Sequence, residues 1–89
     1  PPWYPIQVGV FGKPENARRL ADHLRTIRDV AIERRSVRYG ARLYDRVRLG
    51  RFRDKARAMV VESRIEAATG LDCLVVLTRR PPSSDRPAG

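Results

Sequence analysis

Tyr44, Arg46 and Arg48 occupy alternating positions in the chain, and Val47 and Leu49 stand between and after the two arginines. Because successive side chains of a β-strand point to opposite faces, this order places the tyrosine and both arginines on one face. A guanidinium presents a planar fork of donors that matches a carboxylate or a phosphate. The pattern predicts a strand face suited to an anionic ligand, and it is also typical of an ordinary solvated sheet surface.

The net charge of the chain also favours an anionic partner. The 19 Lys and Arg residues outnumber the 10 Asp and Glu residues and give a net charge of +9 at pH 7. Nucleic acid, an acidic membrane surface and an acidic polysaccharide all fit such an excess, and charge alone does not choose between them. The longest strictly apolar run, Cys73 to Leu77, is far shorter than the ~20 residues of a membrane-spanning helix.

The residue types that support catalysis do not occur in the patterns that known catalytic sites require. The sequence has no Cys–His or Ser–His–Asp constellation, no glycine-rich phosphate loop and no cluster with metal-ligand spacing. Cys73 is the single cysteine, which excludes an internal disulfide. His23 stands beside Asp22, off the apolar stripe of its helix, and Glu62 and Glu66 are at helical positions expected in solvent. We therefore expect a domain that is not an enzyme and needs no cofactor or metal.

The elements that must position the strand face come in two similar halves, 41 residues apart. The first half begins with a strand over 4–11, in which Ile6, Val8 and Val10 are predicted to share one face. Each half then continues with a glycine, a phenylalanine and an amphipathic helix. The positions that coincide are Val8-Gly9 with Leu49-Gly50, Phe11 with Phe52, and Ala17, Leu20 and Leu24 with Ala58, Val61 and Ile65.

Two further strands are predicted after the helices, over 29–37 and 71–78, with a turn at Tyr39-Gly40-Ala41. The resulting order is βαββαβ, the split βαβ plan of ferredoxin-like and RNP-like α+β folds. This plan predicts a four-stranded antiparallel sheet with both helices on one face. The other face stays open, and we expect the function to lie there.

The ends of the chain differ from the middle in composition. We expect residues 1–3 to be the end of a linker, 4–78 to form one domain, and 79–89 to be a disordered tail rich in Pro, Ser and Arg. The chain opens on Pro1-Pro2 without an initiator Met or a signal peptide, so we interpret it as a piece of a longer protein. Membrane attachment is then expected only through the missing region, and the domain is expected to be a monomer.

Two segments resemble the signatures of the SPOR family. The first reads Ile-Gln-Val-Gly-Val-Phe over 6–11, followed by Glu15-Asn16-Ala17, and the second reads Arg-Val-Arg-Leu-Gly-Arg-Phe over 46–52. The similarity runs from about Tyr4 to Val76. With Leu43-Tyr44 ahead of it, the second signature most resembles that of the C-terminal SPOR domain of the rare lipoprotein A family. The members of that family are septal lytic transglycosylases.

The resemblance implies a non-catalytic domain that binds peptidoglycan glycan strands stripped of their stem peptides. It also implies that the domain targets its parent, a periplasmic or cell-envelope protein, to the bacterial division septum. The family's binding positions on the open face correspond to Gln7, Tyr44 and Arg46. The chain departs from the family at Val10, where a small hydroxyl residue is common, and at Arg51, where a proline is common.

The chemistry of a denuded glycan strand fits these side chains. Removal of the stem peptide leaves a free lactyl carboxylate on muramic acid, where an intact strand carries an amide. Arg46 and Arg48 are suited to that carboxylate, and Gln7 is able both to donate to and to accept from acetamido and hydroxyl groups. Tyr44 offers a ring for the apolar face of a pyranose. Trp3 is expected either to extend this sugar platform or to anchor the linker.

Two other functions remain open from the sequence. An open-faced βαββαβ sheet with a strongly positive charge is also the plan of an RNA-binding domain. However, Tyr44 is followed by arginines and not by the further aromatic residues that such domains use to stack bases. A protein-interaction module that docks an acidic partner is the other alternative. Tyr44 could also pack across the hairpin against Tyr39 instead of facing a ligand.

Overall fold

The computed structural model describes residues 1–27 and 30–82, and within them the elements follow the order βαββαβ. They are β1 (Ile6–Phe11), α1 (Pro14–Leu24), β2 (Ile32–Tyr39), β3 (Arg42–Leu49), α2 (Lys55–Thr69) and β4 (Leu74–Val75). The strands form one sheet in the order β2-β3-β1-β4, and each neighbouring pair is antiparallel. The predicted α+β fold with a four-stranded antiparallel sheet and two helices is confirmed.

One face of the sheet packs against both helices and forms the hydrophobic core. The strands contribute aliphatic side chains from alternate positions, and the helices contribute residues spaced three or four apart. The buried core residues are Ile6, Val8, Ala17, Ala21, Leu24, Ile32, Val47, Leu49, Val61 and Ile65. Of the helical positions that the sequence predicted to repeat, Ala17, Leu24, Val61 and Ile65 lie in this core, Ala58 is buried, and Leu20 is half-buried against the core.

The two helices begin by different local devices. Pro14 occupies the first turn of α1, where its missing N–H removes no helical hydrogen bond, and Lys13 before it makes no side-chain cap. In contrast, α2 starts after Asp54, whose Oδ1 accepts a hydrogen bond of 2.9 Å from the backbone N–H of Ala56. The second helix ends at Gly70, which adopts the left-handed φ of 72° common at helix C-termini.

A β-bulge in β1 changes which residues of that strand face outward. The pairing with β3 shifts between Gln7 and Gly9, so that Val8 is an extra residue on the core side. Beyond the bulge, Val10 lies opposite Arg46 and is 37% exposed. The prediction that Val10 shares the buried face with Val8 is wrong, because the extra residue inverts the alternation.

Side chains of α2 cover the outer edge of β4. This strand is shorter than the 71–78 predicted from the sequence. The backbone N–H groups of Cys73 and Val75 donate to Oε2 of Glu66 and Oε2 of Glu62, each at 3.0 Å. Unpaired strand edges attract other strands, and these carboxylates satisfy the donors instead. The expectation that Glu62 and Glu66 are merely solvated is therefore wrong.

The chain beyond β4 passes to the open face of the sheet. Trp3 and Thr78 first extend the β1–β4 pairing through two backbone hydrogen bonds of 2.7 and 3.0 Å. Pro82 is buried and lines a small recess with Arg46 and Arg48. The other residues of the predicted tail, 83–89, lie outside the described part of the chain.

Candidate functional site

The β2–β3 hairpin brings several arginines together on the open face. A two-residue loop at Gly40-Ala41 joins the strands, so that residues at equal distances from the loop lie opposite each other. Arg35 lies opposite Arg46, and Glu33 lies opposite Arg48. Such pairs have Cβ atoms about 5 Å apart on the same face. The register therefore places three guanidinium groups and one carboxylate side by side.

Arg46 and Arg48 are held by different partners. The Nη2 of Arg46 lies 3.8 Å from Oε1 of Glu33, and these side chains are only 13% and 8% exposed. The Nε of Arg48 donates to Oε1 of Gln7 on β1 at 3.1 Å. Arg46 is thus part of a largely buried ion pair, whereas a neutral amide orients Arg48 without compensating its charge.

The crowded arginines create a positive potential over this face. Burial, and then the neighbouring charge of Arg46, lower the pKa of Arg48 from its usual value, while Glu33 acts in the opposite direction. Both effects disfavour a charged guanidinium, and a bound anion would oppose them. The face is electrostatically suited to a carboxylate or phosphate group.

An open groove of about 710 Å³ lies over these residues. It is lined by Arg35, Arg38, Tyr39, Arg46, Arg48 and Arg80, among others. A smaller recess of about 20 Å³ adjoins it and is lined in part by Glu33 and Pro82. Among the described residues that line either space, Glu33 is the single acidic side chain. The groove is therefore strongly cationic.

Two tyrosines of the hairpin pack against each other at one end of the groove. The ring centroids of Tyr39 and Tyr44 are 5.7 Å apart, with the planes tilted by 48°. The guanidinium of Arg42 lies 6.0 Å from the centroid of Tyr44. Tyr39, rather than Tyr44, is among the residues that line the groove. The packing of Tyr44 on Tyr39, considered from the sequence, is thus present, with Tyr39 as the ring nearest to a ligand in the groove.

Trp3 lies at the other end of the sheet, near the β3–α2 loop. The guanidinium of Arg53 is 3.7 Å from the centroid of the Trp3 ring, and that of Arg51 is 5.9 Å away. Cation–π contacts at exposed sites each stabilise by ~0.5–1 kcal/mol. These contacts favour the anchoring role for Trp3 over the sugar-platform role.

The structure brings three of the five predicted site residues together. Gln7, Arg46 and Arg48 lie side by side on the open face. Tyr44 is at the hairpin end of the same face, beside the groove but not among its lining residues. Trp3 is outside the groove.

Sequence reasoning missed several residues of the groove, among them Arg35, Tyr39 and Arg80. Arg35 and Tyr39 were available from the hairpin, because a two-residue loop at Gly40-Ala41 fixes the register of β2 against β3. Arg80 had no such signal, since the segment after β4 has no periodicity that predicts where it packs.

The other reactive groups that the structure describes are not arranged as an alternative site. Burial, together with the nearby carboxylates of Glu66, Glu62 and Asp72, raises the pKa of the Cys73 thiol to about 11. The thiol is therefore protonated at neutral pH and is a poor nucleophile. Within residues 1–27 and 30–82, no three His, Cys, Asp or Glu side chains are grouped to hold a metal ion. In the same ranges, no helix is both long and apolar enough to cross a membrane.

The described residues form an open-faced α+β domain with a cationic groove that is suited to an anionic ligand. The chain belongs to the SPOR domain family, whose model matches residues 3–77. SPOR domains bind peptidoglycan, do not catalyse reactions, and occur in cell-envelope and division-septum proteins. No curated protein and no solved structure gave a significant match to the chain.

Proposed function

We propose that this domain binds peptidoglycan glycan strands whose stem peptides have been removed, and that it thereby directs its parent protein to the division septum. The observation that carries the proposal is the arginine-lined groove on the open face, which adjoins the amide of Gln7 and the ring of Tyr39. A ligand that offers carboxylates, amides and apolar sugar faces matches all three kinds of side chain.

The groove supports a preference for denuded strands through charge. Each muramic acid that has lost its peptide exposes a lactyl carboxylate, which Arg35 and Arg48 are positioned to bind in a charge-assisted manner. An intact strand has an uncharged amide at the same point and a bulky peptide beyond it. Gln7 remains able to bind acetamido or hydroxyl groups with its amide N–H, because its oxygen already accepts from Arg48.

RNA is the less favoured ligand because of where the aromatic residues lie. Single-stranded RNA is bound on open sheets by rings at the centre of β1 and β3, on which bases stack. Here the outward positions at that centre are Gln7, Val10, Arg46 and Arg48.

The resemblance to rare lipoprotein A further supports a periplasmic parent with lytic transglycosylase activity, in which this domain acts as a monomeric targeting module.

Binding to sacculi tests the proposal directly. The purified domain is incubated with intact sacculi and with sacculi treated by an amidase that removes stem peptides, each with and without excess RNA. We expect retention on treated sacculi only, undiminished by RNA, and weaker with added salt because exposed charge pairs are screened over ~8 Å at physiological ionic strength. Equal retention on both sacculi, or displacement by RNA, would contradict the proposal.

Matched variants locate the binding surface. Arg35→Gln and Arg48→Gln each remove one charge from the groove, and Arg57→Gln removes one from the exposed surface of α2. We expect the two groove variants to lose about tenfold in affinity, the worth of one hydrogen bond to a charged group, and Arg57→Gln to bind as the wild type does. If all three lose affinity equally, net charge and not the groove determines binding.

A further inference from the structure

The segment Thr78–Pro82 crosses the open face of the sheet. It follows β4, which pairs with β1 at one side of the sheet, whereas β2 forms the opposite edge. Thr78 and Arg80 nevertheless line the same groove as Arg35 and Tyr39 of β2. The segment therefore lies against the side of the sheet without helices, where it shares the groove and the recess with residues of β2 and β3.

Local structure holds this segment in place. The backbone N–H of Arg80 donates to Oγ1 of Thr78 at 3.2 Å, a short turn that bends the chain after the last strand pairing. Two prolines follow, and their rings restrict the backbone. Pro82 is buried, and both Pro81 and Pro82 line the recess beside Arg46. The backbone of Arg80 thus lies between the paired Thr78 and the buried Pro82.

Arg80 adds a further cation to the groove. It lines both the groove and the recess together with Arg35, Arg46 and Arg48. With Arg38, five guanidinium groups line these spaces, and among the described lining residues Glu33 supplies the single carboxylate. Like charges that line one groove repel each other, and an anionic ligand between them would attract all of them.

We infer that Arg80 is a ligand-binding residue, and that the segment Thr78–Pro82 forms one wall of the glycan groove and supplies a cation from above the sheet. The segment lies beyond residues 3–77, the part that matches the family model, so this wall adds to the binding surface that the family fold provides. The inference rests on the proposed function, because its ligand is the lactyl carboxylate of a denuded strand.

The adjacent arginine provides a matched control. Arg79 is exposed and is not among the residues that line the groove or the recess, whereas Arg80 lines both. Arg79→Gln and Arg80→Gln in the full 89-residue chain therefore change the net charge equally, one residue apart. The probes are a tetrasaccharide of alternating N-acetylglucosamine and N-acetylmuramic acid, and an N-acetylglucosamine tetrasaccharide of the same length, which lacks lactyl carboxylates.

We expect Arg80→Gln to lower the affinity for the muramic acid tetrasaccharide about tenfold, as the loss of one charge-assisted hydrogen bond does, and Arg79→Gln to leave it nearly unchanged. Arg80→Lys should recover only part of the loss, because it restores the charge without the planar fork. None of the three variants should alter the weak binding of the uncharged tetrasaccharide. An unchanged melting temperature shows that each variant remains folded.

The outcomes separate this inference from the proposed function. Equal affinities of Arg80→Gln and Arg79→Gln in a chain that binds the muramic acid tetrasaccharide would overturn the role of Arg80 and leave the function standing. Tighter binding by Arg80→Gln would overturn it too, since the segment would then block the groove instead of completing it. A wild-type chain that binds neither tetrasaccharide would overturn both.

Discussion

The two halves of the domain share an interior and differ on their outer face. In both, a glycine is covered by the ring of a phenylalanine two residues later, Gly9 by Phe11 and Gly50 by Phe52. The helices also repeat, with buried residues 41 positions apart. These pairs are Ala17 with Ala58 and Leu24 with Ile65. On the open face, by contrast, the first half presents the neutral Gln7, and its equivalent in the second half is the cationic Arg48.

The difference indicates that packing determines the residues of the interior, whereas ligand chemistry determines those of the open face. Packing demands the same shapes in both halves, because each strand–helix unit covers the same core. The open face has no such demand, so its side chains are free to differ with ligand chemistry. The equivalent positions Gln7 and Arg48 even contact each other through a hydrogen bond of 3.1 Å. The second half, with β2, supplies the charge, and the first half supplies an amide that orients it.

The largest effects should come from breaking the shared interior. Leu24 and Ile65 are equivalent and are 0% and 2% exposed. We expect Leu24→Ala and Ile65→Ala each to lower the free energy of unfolding by ~2–5 kcal/mol through lost burial and a residual cavity. Chemical denaturation followed by circular dichroism measures both. If one variant costs less than ~1 kcal/mol, the halves do not carry equal parts of the core.

Alanine substitution at the two equivalent glycines, Gly9 and Gly50, should destabilise the domain to different degrees. A Cβ at Gly9 would come within 2.6 Å of the Phe11 ring, and a Cβ at Gly50 within 2.0 Å of the Phe52 ring. Gly50 also has a φ of 86°, which an alanine adopts only with strain. We expect Gly9→Ala to cost ~1–3 kcal/mol from overpacking and Gly50→Ala ~1–2 kcal/mol more from the dihedral angle.

A third glycine separates the two contributions at Gly50. Gly70 has a φ of 72°, and no other heavy atom lies within 4 Å of the place that an alanine Cβ would occupy, so Gly70→Ala reports the dihedral cost alone. Thermal unfolding of the three variants should therefore rank Gly50→Ala as the least stable. A Gly50→Ala variant no less stable than Gly70→Ala would mean that the Phe52 ring moves aside without cost.

The sequence predicted the interior of both halves better than their outer face. Hydrophobic periodicity is sufficient to predict β1, both helices and most of the buried aliphatic side chains, because each is a regular pattern within one segment. The bulge that exposes Val10 depends on one extra residue, which leaves no signal in the alternation of β1. The carboxylates of Glu62 and Glu66 cap β4 only because α2 packs along that edge.

The site was predictable only in part for the same reason. Arg46 and Arg48 follow from alternation within β3, and Arg35 would follow from the hairpin register. Arg80 is brought to the groove by a segment after the last strand, whose course depends on tertiary packing. Tyr44 has the predicted face, but its ring packs on Tyr39.

The two arginines of β3 should differ in their effect on stability. Arg46 pairs with the nearly buried Glu33, whereas Arg48 contacts the neutral Gln7. We expect Arg46→Ala to destabilise the domain by ~1–3 kcal/mol, because it leaves a buried carboxylate without that counter-charge.

Arg48→Ala is the matched variant for this prediction. It should cost about 0.5 kcal/mol or less, in the range of changes at partly exposed positions without a buried partner. The Glu33→Gln, Arg46→Ala double variant should recover part of the loss caused by Arg46→Ala alone, since it removes the buried charge as well. Urea denaturation of the four proteins, wild type included, gives the required free energies. Equal costs for the two arginines would show that the Glu33 contact contributes nothing.

The smallest expected change in stability, and the sharpest test of the division between the halves, is at Gln7. If this residue only orients Arg48, Gln7→Ala should leave stability within ~0.5 kcal/mol of wild type and should weaken binding less than Arg48→Ala does.

Gln7→Glu retains an oxygen that accepts from the Nε of Arg48, yet it places a carboxylate beside the groove. That charge should neutralise part of the arginine cluster and repel a lactyl carboxylate. We therefore expect Gln7→Glu to bind denuded glycan more weakly than Gln7→Ala, even though it keeps the hydrogen bond. Titration with the muramic acid tetrasaccharide at low and physiological salt measures the difference, which should shrink as salt rises. If Gln7→Glu instead binds as tightly as the wild type, the amide serves geometry alone and the charge of the second half does not determine binding.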